Sequence, residues 1–483
     1  MKSARTRLDA INVFPVPDAD TGTNIYLTLH EGNRAVARLP ESATHREVVA
    51  AFARGALLGA RGNSGVIMSQ YLTTFLTALD RHGGLRRISA KHLAAALSQA
   101  ADAAYGAVAE PAEGTILSVA RAAADGAASV AGSRASAGDT AMAAVVSARA
   151  ALVRTHDDLP AAHDAGVVDA GAAGLVLQLE MLAEVIAGPE ALAALPEVPW
   201  ELREGGARVS TEGLHAHHGG AFEVMFVTHA EDDIRDALTG ELEIIGDSVA
   251  VTGANDLWQA HVHTDEPQSA VERGVATGAR QIIVRHLTHG HDADRASTGI
   301  VALTTCPGLA EPLADAGAVV LVVPDPSTFT RRSLRRAVKD ASAEHAVVVA
   351  GHPELRAAAR ELQARRRRPV LTVLDVDHEA RVIAAVAAAA LLTPGQDLAE
   401  EMARAAEATA VGASSGDALD EDVDRMVDPS TEVVSLVLAA GVSDGVADAV
   451  RLSVRGAAPR ADVNVYRGGQ HAPAVLIGVE GRA

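Results

Sequence analysis

From residue 25 to about 190, apolar residues return every three or four positions, which is the spacing of helices that bury one face. Gly, Pro or a polar break closes each stretch, and no strand pattern separates them. The stretches are AVARLPESATHREVVAAFARGALLGA, KHLAAALSQAADAAYGAVAEP, TAMAAVVSARAALVRTH and GLVLQLEMLAEVIAG. The pattern predicts an all-α helical bundle over residues 1–190 whose loops supply any chemistry, because its helices are mostly Ala and Leu.

Residues 191–215 are rich in Pro, Gly and charge, which predicts a linker. Beyond it the period becomes two, and FEVMFVTH, ELEIIGDSVAVTG, LWQAHVHTD and QIIVRHL are predicted strands, with EDDIRDALTG and PQSAVERGVATG as helices. A small α/β middle domain over residues 216–288 follows from this pattern. The polar stretch HGHDADRAS at 289–297 predicts a second, solvated linker.

From residue 299 short β-branched runs alternate with helices: GIVALTT, AVVLVVP, HAVVVAG, RPVLTVLD and VVSLVLA. Such runs predict one mostly parallel sheet covered on both faces. The end, ADVNVYRGGQHAPAVLIGVE, adds two strands around a Gly-Gly turn. The chain is therefore predicted to be multidomain, with a C-terminal α/β domain over residues 299–483.

Length and charge narrow the functional classes. At 483 residues the chain is too long for one core, and about 150 residues per domain suggests three. Its 42 basic and 62 acidic residues give a net charge of −20, which opposes binding to nucleic acid or anionic membranes. The single cysteine, Cys306, excludes an intramolecular disulfide. No secretory signal is visible and the longest apolar run falls short of a membrane span, so we expect a cytoplasmic protein without integral membrane association.

Two aspartates one residue apart mark the strongest candidate site. Asp18 and Asp20 lie in NVFPVPDADTGTN at 12–24, where Pro15 and Pro17 disfavour a helix and predict a loop. Carboxylates held this close repel each other, and a divalent cation relieves the repulsion. Magnesium bound by one or two carboxylates usually completes its shell with water and nucleotide phosphates. An Asp-rich turn or a helix N-cap is the alternative interpretation.

A glycine-rich turn follows at 59–65, GARGNSG, directly before the apolar run VIMSQYLTTFL. A glycine-rich turn that opens a helix presents free backbone N–H groups and the positive end of the helix dipole, which suits phosphate. The turn lacks the lysine of a P-loop, so by itself it is a weak signal.

Together the two stretches resemble the nucleotide-binding domain of the dihydroxyacetone kinase L-subunit (DhaL) family. The longer segments INVFPVPDADTGTN and GARGNSGVIMSQ are similar to one branch of it, the ATP-binding subunit of bacterial fatty acid kinase. EGTILSVARAA at 113–123 and GVVDAGAAGL at 166–175 also match that branch. Members of the branch usually carry a further helix before the INVFP-like motif, where about ten residues stand here.

The resemblance implies an ATP- and Mg²⁺-dependent phosphotransferase. Asp18 and Asp20 would hold the metal, with Asn12 completing its shell, and Arg61 would counter transition-state charge or contact the partner. The residues that would hold the nucleotide are Thr21, Thr23, Asn24, Gly62, Asn63, Ser64, Gly65 and Thr115. For Thr115 a helix-capping role is the alternative.

The acceptor comes from the resemblance and not from the residues. It implies a fatty acid presented by a separate DegV-like binding protein, converted to an acyl phosphate for phospholipid synthesis, and a homodimeric kinase. The sequence shows no obvious pocket for a long acyl tail. Two rival functions are a dihydroxyacetone-type kinase of small hydroxyl substrates and a non-catalytic nucleotide-binding regulator.

His261 and His263 alternate on a predicted strand, so both rings should point to the same face. Two imidazoles are too few ligands for a metal site. The resemblance implies a further cysteine ligand, and Ala221 stands where it would fall. We therefore expect no thiolate-containing metal site, and assign the pair to partner recognition or phosphoryl handling, with a structural role as the alternative.

Overall fold

The computed structural model describes residues 1–81, 88–132, 134–201, 220–254, 256–287, 298–341, 343–365, 369–392, 396–415 and 419–481. The chain divides into two compact units. The first comprises Met1–Gly220 and His229–His263, and the second comprises Ala221–Thr228 and Thr264–Ala483. Most of the linker predicted at 191–215 and all of the one predicted at 289–297 lie outside the described residues.

Helices alone make up the described part of the N-terminal region. They are α1 (Arg5–Ala10), α2 (Thr21–Val36), α3 (His45–Gly59), α4 (Gly62–Arg81), α5 (Ala90–Tyr105), α6 (Ile116–Val130), α7 (Ala137–Asp158), α8 (Pro160–Ala165), α9 (Ala170–Ala187) and α10 (Pro189–Ala193). Their apolar faces meet in one core in which alanine is the commonest residue, so helices approach closely. The predicted helical bundle is confirmed.

Helix α9 is the most apolar of these helices. By length and composition it could cross a membrane, but half of it is buried inside the protein, where it packs in the helical core. Gly174 on this helix leaves no space for a side chain, because a Cβ there would lie 2.6 Å from Cδ1 of Ile25 in α2. The apolar character of α9 therefore serves the packing of the bundle.

Strands and helices follow in the rest of the chain. They are β1 (Phe222–His229), α11 (Arg235–Glu243), β2 (Asp247–Ala254), β3 (Leu257–Thr264), α12 (Pro267–Ala276), β4 (Gln281–His286), β5 (Thr298–Thr304), α13 (Ala310–Asp315), β6 (Ala318–Val322), α14 (Arg331–Asp340), β7 (His345–Ala350), α15 (Pro353–Arg365), β8 (Val370–Val373), α16 (Glu379–Ala390), α17 (Leu398–Ala408), β9 (Ala410–Ser414), α18 (Leu419–Asp424), β10 (Thr431–Leu438), α19 (Asp444–Ala457), β11 (Asp462–Tyr466) and β12 (Val475–Gly481). The predicted sheet-containing middle and C-terminal regions are confirmed.

In the first unit, β2 and β3 form an antiparallel pair that rests on the helical bundle. Ala250 of β2 packs against Ala60 and Val66 at the α3–α4 turn. The strand predicted over ELEIIG is wrong at its start, because α11 continues to residue 243. Leu238 and Leu242 are both buried, and their four-residue spacing favours the helix.

The second unit contains two sheets rather than the one that was predicted. In the first, strands run in the order β1-β4-β6-β5-β7-β8, and β5, β6, β7 and β8 are parallel. In the other the order is β11-β10-β12-β9, where β10 pairs parallel with β11 and antiparallel with β12. The predicted strand VVSLVLA is β10, so it does not join the parallel sheet. Strand propensity identifies a strand and does not select its partner.

Candidate functional site

Asp18 and Asp20 lie between α1 and α2, each half-buried and each held by an asparagine. Nδ2 of Asn12 donates to Oδ1 of Asp18 at 2.9 Å, and Nδ2 of Asn24 donates to Oδ1 of Asp20 at 2.7 Å. The predicted loop ends at Asp20, since α2 begins at the next residue. The polar residues predicted to follow the aspartates in a loop thus form the first turn of a helix. The two amides fix the orientation of both carboxylates.

A third carboxylate, Asp9, belongs to this cluster and sequence reasoning missed it. Asp9 is 5% exposed and lies in α1, and its carboxylate accepts hydrogen bonds from the backbone N–H and the hydroxyl of Thr23, both at 2.8 Å. Burial raises the pKa of Asp9, and the negative charge of Asp20 adds to the rise. The hydrogen bonds from Thr23 and the charge of Arg5 lower the same pKa. Asp9 follows Leu8 in a short, mostly polar helix, RTRLDA, whose pattern does not reveal that Asp9 is buried.

Asn12 and Thr23 have protein partners that bear on their predicted roles. The amide oxygen of Asn12 accepts a hydrogen bond from the hydroxyl of Thr21, while its Nδ2 also donates to the carbonyl oxygen of Val16 at 2.8 Å. Both donors of Thr23 are directed at Asp9. This arrangement favours positioning roles for Asn12, Thr21 and Thr23 over direct contact with a metal or phosphate. Direct contacts by these three residues stay predictions.

The two motif stretches lie against each other. A Cβ at Gly65 would lie 2.7 Å from Oγ1 of Thr28 and 3.4 Å from the carbonyl oxygen of Asn24, so the first turn of α4 packs directly on α2. Asn24 in turn holds Asp20. Thr28 donates to the carbonyl oxygen of Asn24 at 2.8 Å, which keeps this side of α2 compact. Asn24 thus links the glycine turn to Asp20 through α2, which supports the predicted joint role of the two stretches.

The start of α4 has an unpaired polar atom. Oδ1 of Asn63 is buried and lacks a hydrogen-bond partner among the described residues. Gly62, the first residue of α4, has a φ of 53°, which glycine adopts without strain. The neighbouring Ser64 is partly exposed. A buried acceptor without a partner costs free energy, so it indicates a place where a ligand or ion completes the structure.

Arg61 is placed differently from its predicted catalytic role. It is 4% exposed, and Nη1 donates to the carbonyl oxygens of Gly59 at 2.8 Å and Ala60 at 3.2 Å. The guanidinium thus satisfies carbonyl groups at the end of α3, which otherwise lack helical partners. Nε2 of Gln259 in β3 donates to the same Ala60 oxygen at 3.1 Å. These contacts favour a role in holding the α3–α4 turn, and a contact of Arg61 with a transferring group stays a prediction.

Thr115 caps α6, in agreement with the alternative interpretation. Its hydroxyl accepts from the N–H of Leu117 at 3.3 Å and donates to the carbonyl oxygen of Ala112 at 2.7 Å. Asp169 caps α9 in the same way, accepting from the N–H of Ala172 at 2.7 Å. Burial raises the pKa of Asp169 to about 6. Both residues fix helix starts, and a nucleotide contact for Thr115 stays a prediction.

His261 and His263 lie side by side on β3, as their alternation predicted. His261 is fully buried and His263 is 5% exposed. Their ring centroids are 4.9 Å apart with the planes at 61°. The roles predicted for the pair, in partner recognition or phosphoryl handling, stay predictions.

An apolar cavity of about 590 Å³ opens in the helical bundle. Side chains of α2, α3, α4, α5 and α9 line it, among them Leu29, Phe75, Leu97 and Leu182. Its volume lies within the range of small-ligand sites. The sequence showed no obvious pocket for a long acyl tail, because the lining residues come from five helices between residues 26 and 185.

The acidic cluster fits a hydrated divalent cation and a phosphate chain. Asp18 and Asp20 supply hard oxygen ligands, the like charge of Asp20 already raises the pKa of Asp9, and the Asn63 oxygen lacks a partner among the residues that the structure describes. At a helix N-terminus the first backbone N–H groups have no intrahelical acceptor, so the first turn of α4 suits phosphate.

Comparison with known proteins identifies three matching families along the chain. Residues 15–184 match the DAK2 domain. Residues 220–293 match the middle domain of FakA-like fatty acid kinase proteins, and residues 407–480 match the C-terminal domain of the same proteins.

Curated relatives are similar over part of their length. Protein YloV of Bacillus subtilis is 35% identical over 268 residues, which are 54% of this chain and 48% of the relative. An uncharacterized protein of Staphylococcus saprophyticus is 32% identical over 276 residues, 56% of this chain and 49% of the relative. One from Staphylococcus haemolyticus is 27% identical over 376 residues, 72% of this chain and 67% of the relative. The chain thus spans about half the length of the first two.

Proposed function

Since the chain is a FakA-like protein of the fatty acid kinase family and carries a DAK2 domain, we propose that it is an ATP- and Mg²⁺-dependent phosphotransferase whose acceptor is a fatty acid. The acid would be carried by a separate DegV-like binding protein, and the product would be an acyl phosphate used for phospholipid synthesis. We further propose that the protein works in the cytoplasm as a homodimer.

The observation that carries the proposal is the close approach of the first turn of α4 to α2, whose Asn24 holds Asp20. Asp18 and Asp20 would hold Mg²⁺, which when bound neutralises phosphate charge. Asn12 and Asn24 orient these carboxylates. The Asn63 amide and the backbone N–H groups at the start of α4 would bind the phosphate chain. Gly65 lets α4 lie on α2, which supports a site where both groups of ligands would act together without rearrangement.

The reaction needs positioning more than acid–base catalysis. A carboxylate oxygen of the fatty acid forms a bond to the γ-phosphorus, the bond from that phosphorus to the bridging oxygen breaks, and ADP leaves. A carboxylic acid is already ionised at neutral pH, so no general base has to remove a proton from the acceptor. This agrees with the site, in which the Asp9 carboxylate already accepts two hydrogen bonds from Thr23 and is not needed as a base.

The decisive experiment measures ATP consumption by the purified full chain under four conditions: no acceptor, free fatty acid, fatty acid loaded on a DegV-like protein, and dihydroxyacetone. We expect Mg²⁺-dependent consumption only with the loaded binding protein. Asp18→Ala and Asp20→Ala should each lower turnover by more than about 100-fold, because loss of metal charge neutralisation is worth several kcal/mol. The exposed Asp125 on α6 offers a matched control, Asp125→Ala, with unchanged turnover.

Each other outcome would favour a different acceptor, function or metal site. Consumption with free fatty acid alone would contradict the need for a partner and direct attention to the apolar cavity of the bundle. Consumption with dihydroxyacetone alone would favour a kinase of small hydroxyl substrates. Nucleotide binding that requires Mg²⁺, without transfer to any acceptor, would favour a regulator. Normal turnover in both Asp18→Ala and Asp20→Ala would overturn the assigned metal site.

A further inference from the structure

Two histidines and an aspartate meet where α7 ends and α8 begins, and the proposed kinase chemistry uses none of them. His156 and Asp157 lie in the last turn of α7, and His163 lies in α8. One potential ligand atom from each residue lies within 4.8 Å of those of the other two. The two imidazole centroids are 4.9 Å apart with the ring planes at 33°. Nδ1 of His163 is 4.0 Å from Oδ1 of Asp157.

From this geometry we propose that His156, Asp157 and His163 bind a transition-metal cation of the zinc class. Two imidazole nitrogens and one carboxylate are a ligand set that suits Zn²⁺, Co²⁺ or Ni²⁺ and does not suit Mg²⁺ or Ca²⁺, which take oxygen ligands. Asp157 and His163 are more than half exposed, so water completes the coordination. The site shares no residue with the acidic loop of α1 and α2.

A hydrogen bond prepares His156 for this role. Nδ1 of His156 lies 3.2 Å from the carbonyl oxygen of Val167. A neutral ring that donates from Nδ1 keeps its lone pair on Nε2, and metal-binding histidines usually have such a partner on the other nitrogen. The bond sets both the tautomer and the orientation of the ring.

The backbone around the three residues is rigid while their side chains can adjust. Pro160 begins α8 directly after the extended, buried Leu159, and Gly166 ends α8 with a φ of 69°. Zinc bonds of about 2.0–2.2 Å bring ligand atoms closer together than 4.8 Å, so the exposed side chains must rotate inward by about an ångström. Exposed side chains change rotamer readily. Bound metal would therefore draw the three side chains together without moving α7 or α8.

The surrounding charge favours a cation. Asp158 and Asp164 lie in the same segment, HDDLPAAHDAG, which contains no Lys or Arg. The last turns of α7 also hold the start of α9, because the hydroxyl of Thr155 accepts a hydrogen bond from the N–H of Asp169 at 2.9 Å. Metal at His156 would stabilise the turn of α7 that holds the start of α9.

The test titrates the tag-free, metal-stripped full chain with Co²⁺ near neutral pH, and counts bound metal by equilibrium dialysis and visible absorption. The variants are His163→Ala and Asp157→Asn, and the control is His45→Ala, which removes an exposed imidazole at the start of α3. Any binding by His261 and His263 is common to all four proteins and cancels in the comparison.

We expect the wild type and His45→Ala to bind one Co²⁺ per chain more than His163→Ala, and Asp157→Asn to bind this ion about tenfold more weakly or worse. Zn²⁺ should raise the melting temperature of the wild type more than that of His163→Ala. Equal Co²⁺ counts and affinities in the wild type and His163→Ala would overturn the proposal. If His163→Ala loses its helical circular dichroism signal, unchanged Co²⁺ affinity in Asp157→Asn would overturn it instead.

Discussion

The start of α4 in the first unit and the ends of β5 and β7 in the second unit contain similar residues but differ in how their polar atoms are hydrogen-bonded. Both combine glycine with buried polar side chains. At α4, Oδ1 of Asn63 is buried without a partner among the described residues. At β5, the buried carboxylate of Glu379 accepts from the hydroxyl of Thr304 at 2.9 Å, and from the N–H and hydroxyl of Thr305 at 2.8 and 2.9 Å.

The difference teaches how to separate a ligand site from a structural network. The chain runs from β5 to β6 on one side and reaches β7 on the other, which is the topological switch point where α/β proteins often bind ligands. In this protein the side chain of Glu379 occupies the position at the end of β5. A Cβ at Gly351, directly after β7, would lie 2.1 Å from the Glu379 carboxylate. Hydrogen bonds that the chain has already completed indicate structure, and an acceptor without a partner indicates a ligand.

Glu379→Ala should give the largest effect on stability, because it removes the buried carboxylate that accepts hydrogen bonds from Thr304 and Thr305. We expect a loss of about 3 kcal/mol in the free energy of unfolding. Chemical denaturation of the wild type, Glu379→Ala and Glu379→Gln measures it, and the glutamine variant should lose less because it keeps an acceptor. Equal stability of Glu379→Ala and the wild type would contradict the structural role of this network.

Asn63→Ala should behave in the opposite way, with stability near that of the wild type and impaired chemistry. Removing an amide whose oxygen has no partner among the described residues, and which we propose binds the phosphate chain, should lower turnover with ATP by about tenfold, since a hydrogen bond to a charged group contributes about 1.5 kcal/mol or more. Asn33→Ala, which removes an exposed asparagine of α2, is the matched control. Unimpaired turnover in Asn63→Ala, or a large loss of its stability, would contradict the ligand-binding role and indicate that Asn63, like Glu379, has a structural role.

The smallest effect concerns Asp169, a buried carboxylate inside the helical domain. Its pKa is raised to about 6 from 3.8, so the folded state binds a proton that the unfolded state has lost between these pH values. This contribution to stability is present below about pH 4 and is lost as the pH rises through about 6. Asp169→Asn should therefore show a shallower decline of unfolding free energy between pH 4 and 6 in urea titrations. An identical slope in both proteins would contradict the raised pKa.

Sequence patterns predicted the elements better than their partners. FEVMFVTH is β1, residue for residue, and the helical bundle, the α/β regions and the DAK2-like motifs are all found. The second sheet was missed because the pairing of β10 with β11 and β12 depends on packing between separate segments of the chain. The residues of β10 alone do not show which strands it pairs with. Asp9 was missed because its role depends on Thr23, fourteen positions away. Contacts over such distances do not appear in the local spacing of residues.

One glycine of the acidic motif has a consequence for attempts to redesign the proposed site. Gly22 faces α1, where a methyl group would lie 2.3 Å from the carbonyl oxygen of Arg5 and 2.7 Å from Cβ of Leu8. Adding even one carbon at Gly22 would therefore push the first two helices apart, whatever residues stand at positions 18 and 20. Mutational libraries aimed at this segment should hold that position fixed.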